Sequence, residues 1–184
     1  MIRRWSMLVL ASVLASALAL AAPAALAKSA AVINVEVEAA LQKLYKAHPE
    51  TKGVISRSAG VLVFPAVYKG GVGLGAEYGE GALLERGSPS GYYTLVSGSI
   101  GLQLGGQRRA QIIVFMDPAA LERFKASNGW KVGVDGSVVL VNLGASGKVD
   151  SQELNQPILG FILGEQGLMY TTSLEGAKVS RVQK

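Results

Sequence analysis

The chain has 184 residues, 18 Lys plus Arg against 13 Asp plus Glu, one His and no Cys. Without cysteine there can be no disulfide, thiolate zinc site, cysteine nucleophile or lipid-modified cysteine. The net charge of +5 is mild, and its basic residues are scattered rather than massed as nucleic-acid binding requires.

Met1-Ile2-Arg3-Arg4-Trp5 supplies a positive start, Met7 to Leu20 an uncharged apolar run, and Ala25-Leu26-Ala27 a small-x-small cleavage signal. Together they predict a secretory leader over 1–27, cut after Ala27. The alternative, a retained anchor, needs roughly 20 apolar residues to span a bilayer, more than this run supplies. The leader implies an exported product, periplasmic or secreted, with 28–184 as one domain.

Lys28 to Ile33 is expected to fray, and Asn34 to cap a helix ending near Ala47. Val37, Leu41, Leu44, Tyr45 and His48 fall on one helical stripe. Pro49 stops it, and Pro49 to Ser58 suits a short second helix. Gly60 to Pro65 is a strand ended by proline, and Gly70 to Glu85 a glycine-punctuated strand or pair. Gly87-Ser88-Pro89-Ser90-Gly91 is a turn cluster. Tyr92 to Leu104 alternates, and Gln111 to Met116 is a buried strand. Asp117-Pro118 opens a helix with a favoured N-cap and first residue, and Asn128-Gly129 closes it. Asp135-Gly136 predicts a hairpin between Lys131–Val134 and Ser137–Asn142. A second hairpin is expected at Gly164 to Gly167, joining Ile158–Leu163 to Leu168–Thr172, before a last strand from Ala177 to Val182. The fold class is α+β: one domain with a mostly antiparallel, glycine-rich sheet, sandwich or half-barrel, and two or three flanking helices.

All 23 glycines lie between Gly53 and Gly176. Gly71, Gly73, Gly75, Gly79 and Gly81 share the odd positions, so an extended strand strips one face nearly bare, with Glu77 the exception. Such a face admits something very close, either another element or an apolar ligand. Gly71 to Ala76 fits G-x-G-x-x-G/A formally. Glu77 to Gly81, immediately downstream, is a poor helix start, so the phosphate-binding mechanism has no helix N-terminus to use. Gly144 to Lys148 lacks P-loop spacing.

Catalytic constellations are missing from the sequence. His48, the one imidazole, sits at a helix end, and Ser97-Gly98-Ser99-Ile100-Gly101 departs from G-x-S-x-G at position 97. Glu77 and Glu80, three apart, belong to opposite strand faces and are expected as a rim charge and a salt-bridge partner. No calcium-loop pattern exists. Neither enzyme activity, metal nor cofactor is expected.

Phe64-Pro65, Lys69-Gly70-Gly71-Val72-Gly73-Leu74-Gly75 and Tyr78-Gly79-Glu80-Gly81 form an ordered series. It continues through Gly91-Tyr92-Tyr93, Gly101 to Gln107 and Ser173-Leu174-Glu175-Gly176. This series resembles the SYLF domain family over about 41–182, in the manner of exported bacterial-type members. The resemblance implies a non-catalytic lipid-binding module. Eukaryotic members associate with phosphoinositide membranes, and some fungal members bind actin and SH3-containing partners, roles a secretory leader argues against here. What carries over is affinity for anionic phospholipid at a membrane surface, with no nucleic acid. Lys69, Arg108 and Arg109, beside the glycine signature of Gly70, Gly71, Gly73, Gly75, Gly79 and Gly81, are the expected lipid contacts. A structural or adhesive envelope protein that binds a protein partner through strand edges is the rival reading.

Overall fold

The computed structural model describes residues 27–141, 155–164, 167–168 and 176–184, with 71–74, 99–107 and 167–168 described by backbone alone. The expected leader up to Leu26, the Gly144 to Lys148 run and the predicted strand residues 169–172 therefore lie outside the described residues.

Helix α1, Ala30–Ala47, begins four residues before the expected cap. Ser29 is the N-cap, its hydroxyl accepting from the Val32 amide at 3.4 Å, because the buried stripe reaches back through Ile33. Asn34 instead accepts from the Tyr92 hydroxyl at 3.2 Å. Lys28 does not fray: its amide donates to Glu80 Oε2 at 2.9 Å. Helix α2, Thr51–Ser56, follows Pro49.

Two long strands dominate: β1, Gly60–Glu85, and β2, Ser88–Phe115, paired antiparallel over almost their whole length. Pro65 does not end β1. It sits in a bulge, Pro65 and Ala66 lying between the pairs Phe64↔Gln111 and Val67↔Arg109, where its missing N–H breaks no ladder. The turn is tighter than the Gly87–Gly91 cluster suggested. Only Arg86 and Gly87 connect the strands, with φ 51° and 79°, the two positive values a type I′ hairpin demands. Ser88 to Gly91 are already strand.

The Pro65 bulge also sets which face is which. Before it, Leu62 and Phe64 point inward; after it, the odd positions do, through Val67, Lys69, Glu77, Gly79, Gly81 and Leu83. The sheet rolls around these residues into a half-barrel. Leu95, Ile113, Phe115, Ile162 and Val179 fill the interior with them. Helix α3, Pro118–Ala126, capped by Asp117 with Pro118 in its first turn, plugs the roll with Leu121 and Phe124. The Phe124 ring centroid lies 4.9 Å from Phe115, 5.0 Å from Tyr93 and 5.4 Å from Trp130. On the outer face, α1 buries Ile33, Val37, Leu41 and Leu44 against Val61, Val63, Ile112, Val114 and Phe161.

The remaining strands extend β2 on its other edge. β5, Ile158–Gly164, pairs with 110–115, and β7, Lys178–Val182, with 92–96, both antiparallel. β3, Trp130–Lys131, pairs with β7, while β6, Gly167–Leu168, pairs antiparallel with the end of β5, as the expected second hairpin requires. The predicted Asp135-Gly136 hairpin does not form. Asp135 closes a local turn by accepting the Lys131 amide at 2.7 Å, and β4, Val139–Leu140, pairs parallel to β5 instead. The α+β class holds; of the two expected forms the half-barrel is the one observed, with three helices among the described residues where two or three were expected.

At Gly79 and Gly81 the glycine face is filled from within. A Cβ at Gly81 would lie 2.1 Å from the Val63 carbonyl oxygen and 2.7 Å from Phe64 Cδ1. A Cβ at Gly79 would lie 2.9 Å from Val67 Cγ2. At Gly70 it meets nothing within 4 Å. Gly81→Ala is therefore expected to cost about 3 kcal/mol of unfolding free energy, the upper range for overpacking, and Gly70→Ala under about 0.5 kcal/mol. Denaturant midpoints compare the two.

Candidate functional site

Three of the polar positions singled out in the sequence meet inside the roll. Arg109, 3% exposed, donates from Nη2 to Glu77 Oε2 at 2.7 Å, and Lys69 Nζ lies 3.3 Å from Glu77 Oε1. Glu77, 8% exposed, is thus the centre of a buried triad rather than a rim charge. Beside it lies Gln111, 1% exposed. Its amide atoms and Arg109 Nε are buried without a hydrogen-bond partner among the described residues. This polar layer sits directly above the apolar interior.

Glu80 faces the other way, as an offset of three demands, and it too is buried. Its carboxylate receives Lys184 Nζ on Oε1 at 2.5 Å and the Lys28 amide on Oε2 at 2.9 Å. Lys28 Nζ in turn reaches Glu36 at 2.5 Å. Burial pushes the Glu80 carboxyl up, but the Lys184 ammonium, the Lys28 amide and the Tyr78 hydroxyl together hold it below its ordinary value.

Arg108 is placed differently from its neighbour. It is exposed, stands opposite Tyr68 in the ladder, and its guanidinium lies 5.9 Å from that ring's centroid. Tyr68 is itself 51% exposed. Arg108 also lines a cleft of about 210 Å³ between α1, the Pro65 bulge and the end of β5, together with Lys43, Arg109, Glu36 and Gly164. Lys43 Nζ donates to the Gly164 carbonyl at 3.2 Å. Lys43 was not singled out in the sequence, because its helix face becomes a cleft wall only once β5 arrives. Of the expected contacts, then, Arg108 faces solvent while Lys69 and Arg109 are engaged by Glu77.

His48 closes α1 and lies 3.3 Å from Glu50 Oε1. Among the described residues no cluster of three His, Cys, Asp or Glu is arranged to hold a metal. None of the described helices is long and apolar enough to cross a membrane.

Two measurements test these ion pairs. Arg109→Ala leaves Glu77 buried with Lys69 as its remaining cation and is expected to cost about 3 kcal/mol, whereas Glu77→Leu combined with Arg109→Met and Lys69→Met recovers most of it. Denaturation of the two variants beside the unmutated chain measures the difference. Because the folded Glu80 carboxyl sits below its ordinary value of 4.5, its contribution to stability is complete above that value and is lost as pH falls through the folded one. Glu80→Gln should accordingly flatten the acid limb of a Tm-against-pH curve.

No curated protein matches the chain. Residues 96–184 match the family model described as Ysc84, Las17-binding protein actin regulator. The matched segment takes in β2 from Val96, with the Arg108-Arg109 pair, and everything after it; the Phe64 to Gly81 series precedes it. Over residues 96–184 the chain is thus similar to the Ysc84 family, the SYLF domain family that its glycine series resembles.

Proposed function

We propose that this domain is a non-catalytic module of the cell envelope that docks on anionic phospholipid. The observation that carries the reading is Arg108, an exposed cation stacked on an exposed tyrosine at the mouth of a cleft that Lys43 also lines. A guanidinium attracts a phosphate headgroup, and a tyrosine suits the boundary between water and acyl chains. Lys69 and Arg109 hold Glu77 and so support the wall behind Arg108, which takes the headgroup contact. The secretory leader supports delivery to the periplasm or exterior. There the Las17-binding, actin-regulating role in the family's description has no counterpart, and affinity for lipid is what carries over.

Cosedimentation with vesicles tests it. Anionic vesicles should recover the protein and neutral ones should not. Each cation near an anionic surface contributes about 1 kcal/mol, so Arg108→Ala should lower recovery roughly five-fold in partition coefficient. Added salt should weaken binding as it shortens the Debye length. Equal recovery on neutral vesicles, or none on either, defeats the proposal. Lipid-independent capture by envelope proteins would favour the adhesive reading.

A further inference from the structure

Lys28 is an unusual residue to find anchored. It is the first residue after the small-x-small signal, yet its main-chain nitrogen points at a buried carboxylate and its side chain at a second one. Ala27, one bond upstream, is exposed. Ser29, one residue downstream, caps α1, whose inner face packs on β1, β2 and β5. Glu80 therefore holds the point at which the leader joins the domain, and through Lys184 Nζ it holds the residues after β7 as well.

We propose that Glu80 is a receptor for the amino terminus created when the leader is removed. The step is hydrolysis by a leader-removing endopeptidase of the exported route. Water adds across the Ala27–Lys28 peptide bond, its oxygen going to the Ala27 carbonyl carbon, which leaves as a carboxylate. The Lys28 nitrogen takes up protons to become an α-ammonium. That nitrogen already sits 2.9 Å from Glu80 Oε2, so cleavage converts a neutral amide hydrogen bond into a charge-assisted one without moving the chain. A carboxylate accepts several such bonds, and Glu80 presents one oxygen to each of its two nitrogen donors. The new ammonium meets Glu80 from β1, which also holds Tyr78 of β1 and Lys184 beyond β7, while the side chain of Lys28 itself turns to Glu36 on α1. Processing then becomes the last step of folding: the free terminus holds α1 to the sheet by a charge-assisted bond, where an unprocessed chain has only the neutral amide one.

The inference rests on the leader and not on the lipid reading, and its test separates the two. Mass spectrometry of the exported protein should give a terminus at Lys28; any other terminus overturns the proposal whatever vesicles show. A chain beginning at Lys28 is then compared with one carrying a Gly-Ser extension before Lys28. An α-amino group ordinarily titrates at about 7.7–8.0. Bound to Glu80 its folded value is raised, so the added stability is fully present below that range and disappears as pH rises through the folded value. At pH 7 the Lys28 chain should melt about 4 °C higher or more, and the gap should close near pH 10. Glu80→Gln should abolish the gap at every pH. Should that variant fail to fold, titration of the Lys28 α-amino group by NMR in the unmutated chain decides alone. A raised value supports the receptor; an ordinary one, or equal melting of the two chains at pH 7, overturns it.

Discussion

The half-barrel exists because one stretch of backbone is allowed to touch another. For β1 to curl back on itself, Gly81 has to approach the Val63 carbonyl more closely than any side chain permits. Twist alone rolls a long hairpin into a coil, but only a face without Cβ atoms lets the coil close tightly. Once it does, the interior becomes narrow enough to be filled by single layers. Leu62, Phe64 and Leu83 meet Leu95, Ile113 and Phe115, and Phe124 of α3 stops the end. The aromatic cluster around Phe124, the polar layer of Lys69, Glu77 and Arg109, and the outer seat for α1 all inherit their positions from that closure.

The odd-numbered glycine face was legible because period-two alternation is a local property of a strand. Its direction was not. Whether the odd face points in or out depends on the bulge at Pro65, and the bulge is visible only against its partner, Ala110. Read alone, proline marks an end; paired, it marks a change of phase. The Asp135-Gly136 turn is a comparable case. Its local chemistry holds, with Asp135 folding back on Lys131, but Val139 and Leu140 find β5, which the sequence places far downstream. Ser29 lost to Asn34 as the expected cap because both are good caps, and only the burial of Ile33 decides between them. Burial of Glu77 and Glu80 was beyond any local reading. Lys69 apart, the partners Arg109, Lys28 and Lys184 lie 32, 52 and 104 residues away.

Those partners change what the basic composition means. A net positive chain suggests a basic surface, yet several of the cations nearest the glycine signature are committed to carboxylates. Lys69 and Arg109 neutralise Glu77 within the roll, and Lys184 neutralises Glu80 outside it. Buried pairs of this kind add little net stability, since desolvation offsets attraction, but removing one member leaves an uncompensated charge. They specify the fold more than they strengthen it. Each fixes a position where two distant segments must meet in one register.

Arg108 escapes that arrangement by a single step along the strand. Alternation sends Arg109 inward to Glu77 and Arg108 outward onto Tyr68, so one dipeptide serves the interior and the surface at once. The inward arginine ties the backbone of β2 to Glu77 on β1, and this restrains the outward one. An exposed guanidinium on a flexible loop would lose side-chain entropy on meeting an anion; one carried on a strand anchored from behind and resting on an aromatic ring has lost much of it already. The rigidity that glycine closure gives the roll is thus passed to its surface through Arg109. In this way the roll presents a charge in a fixed place.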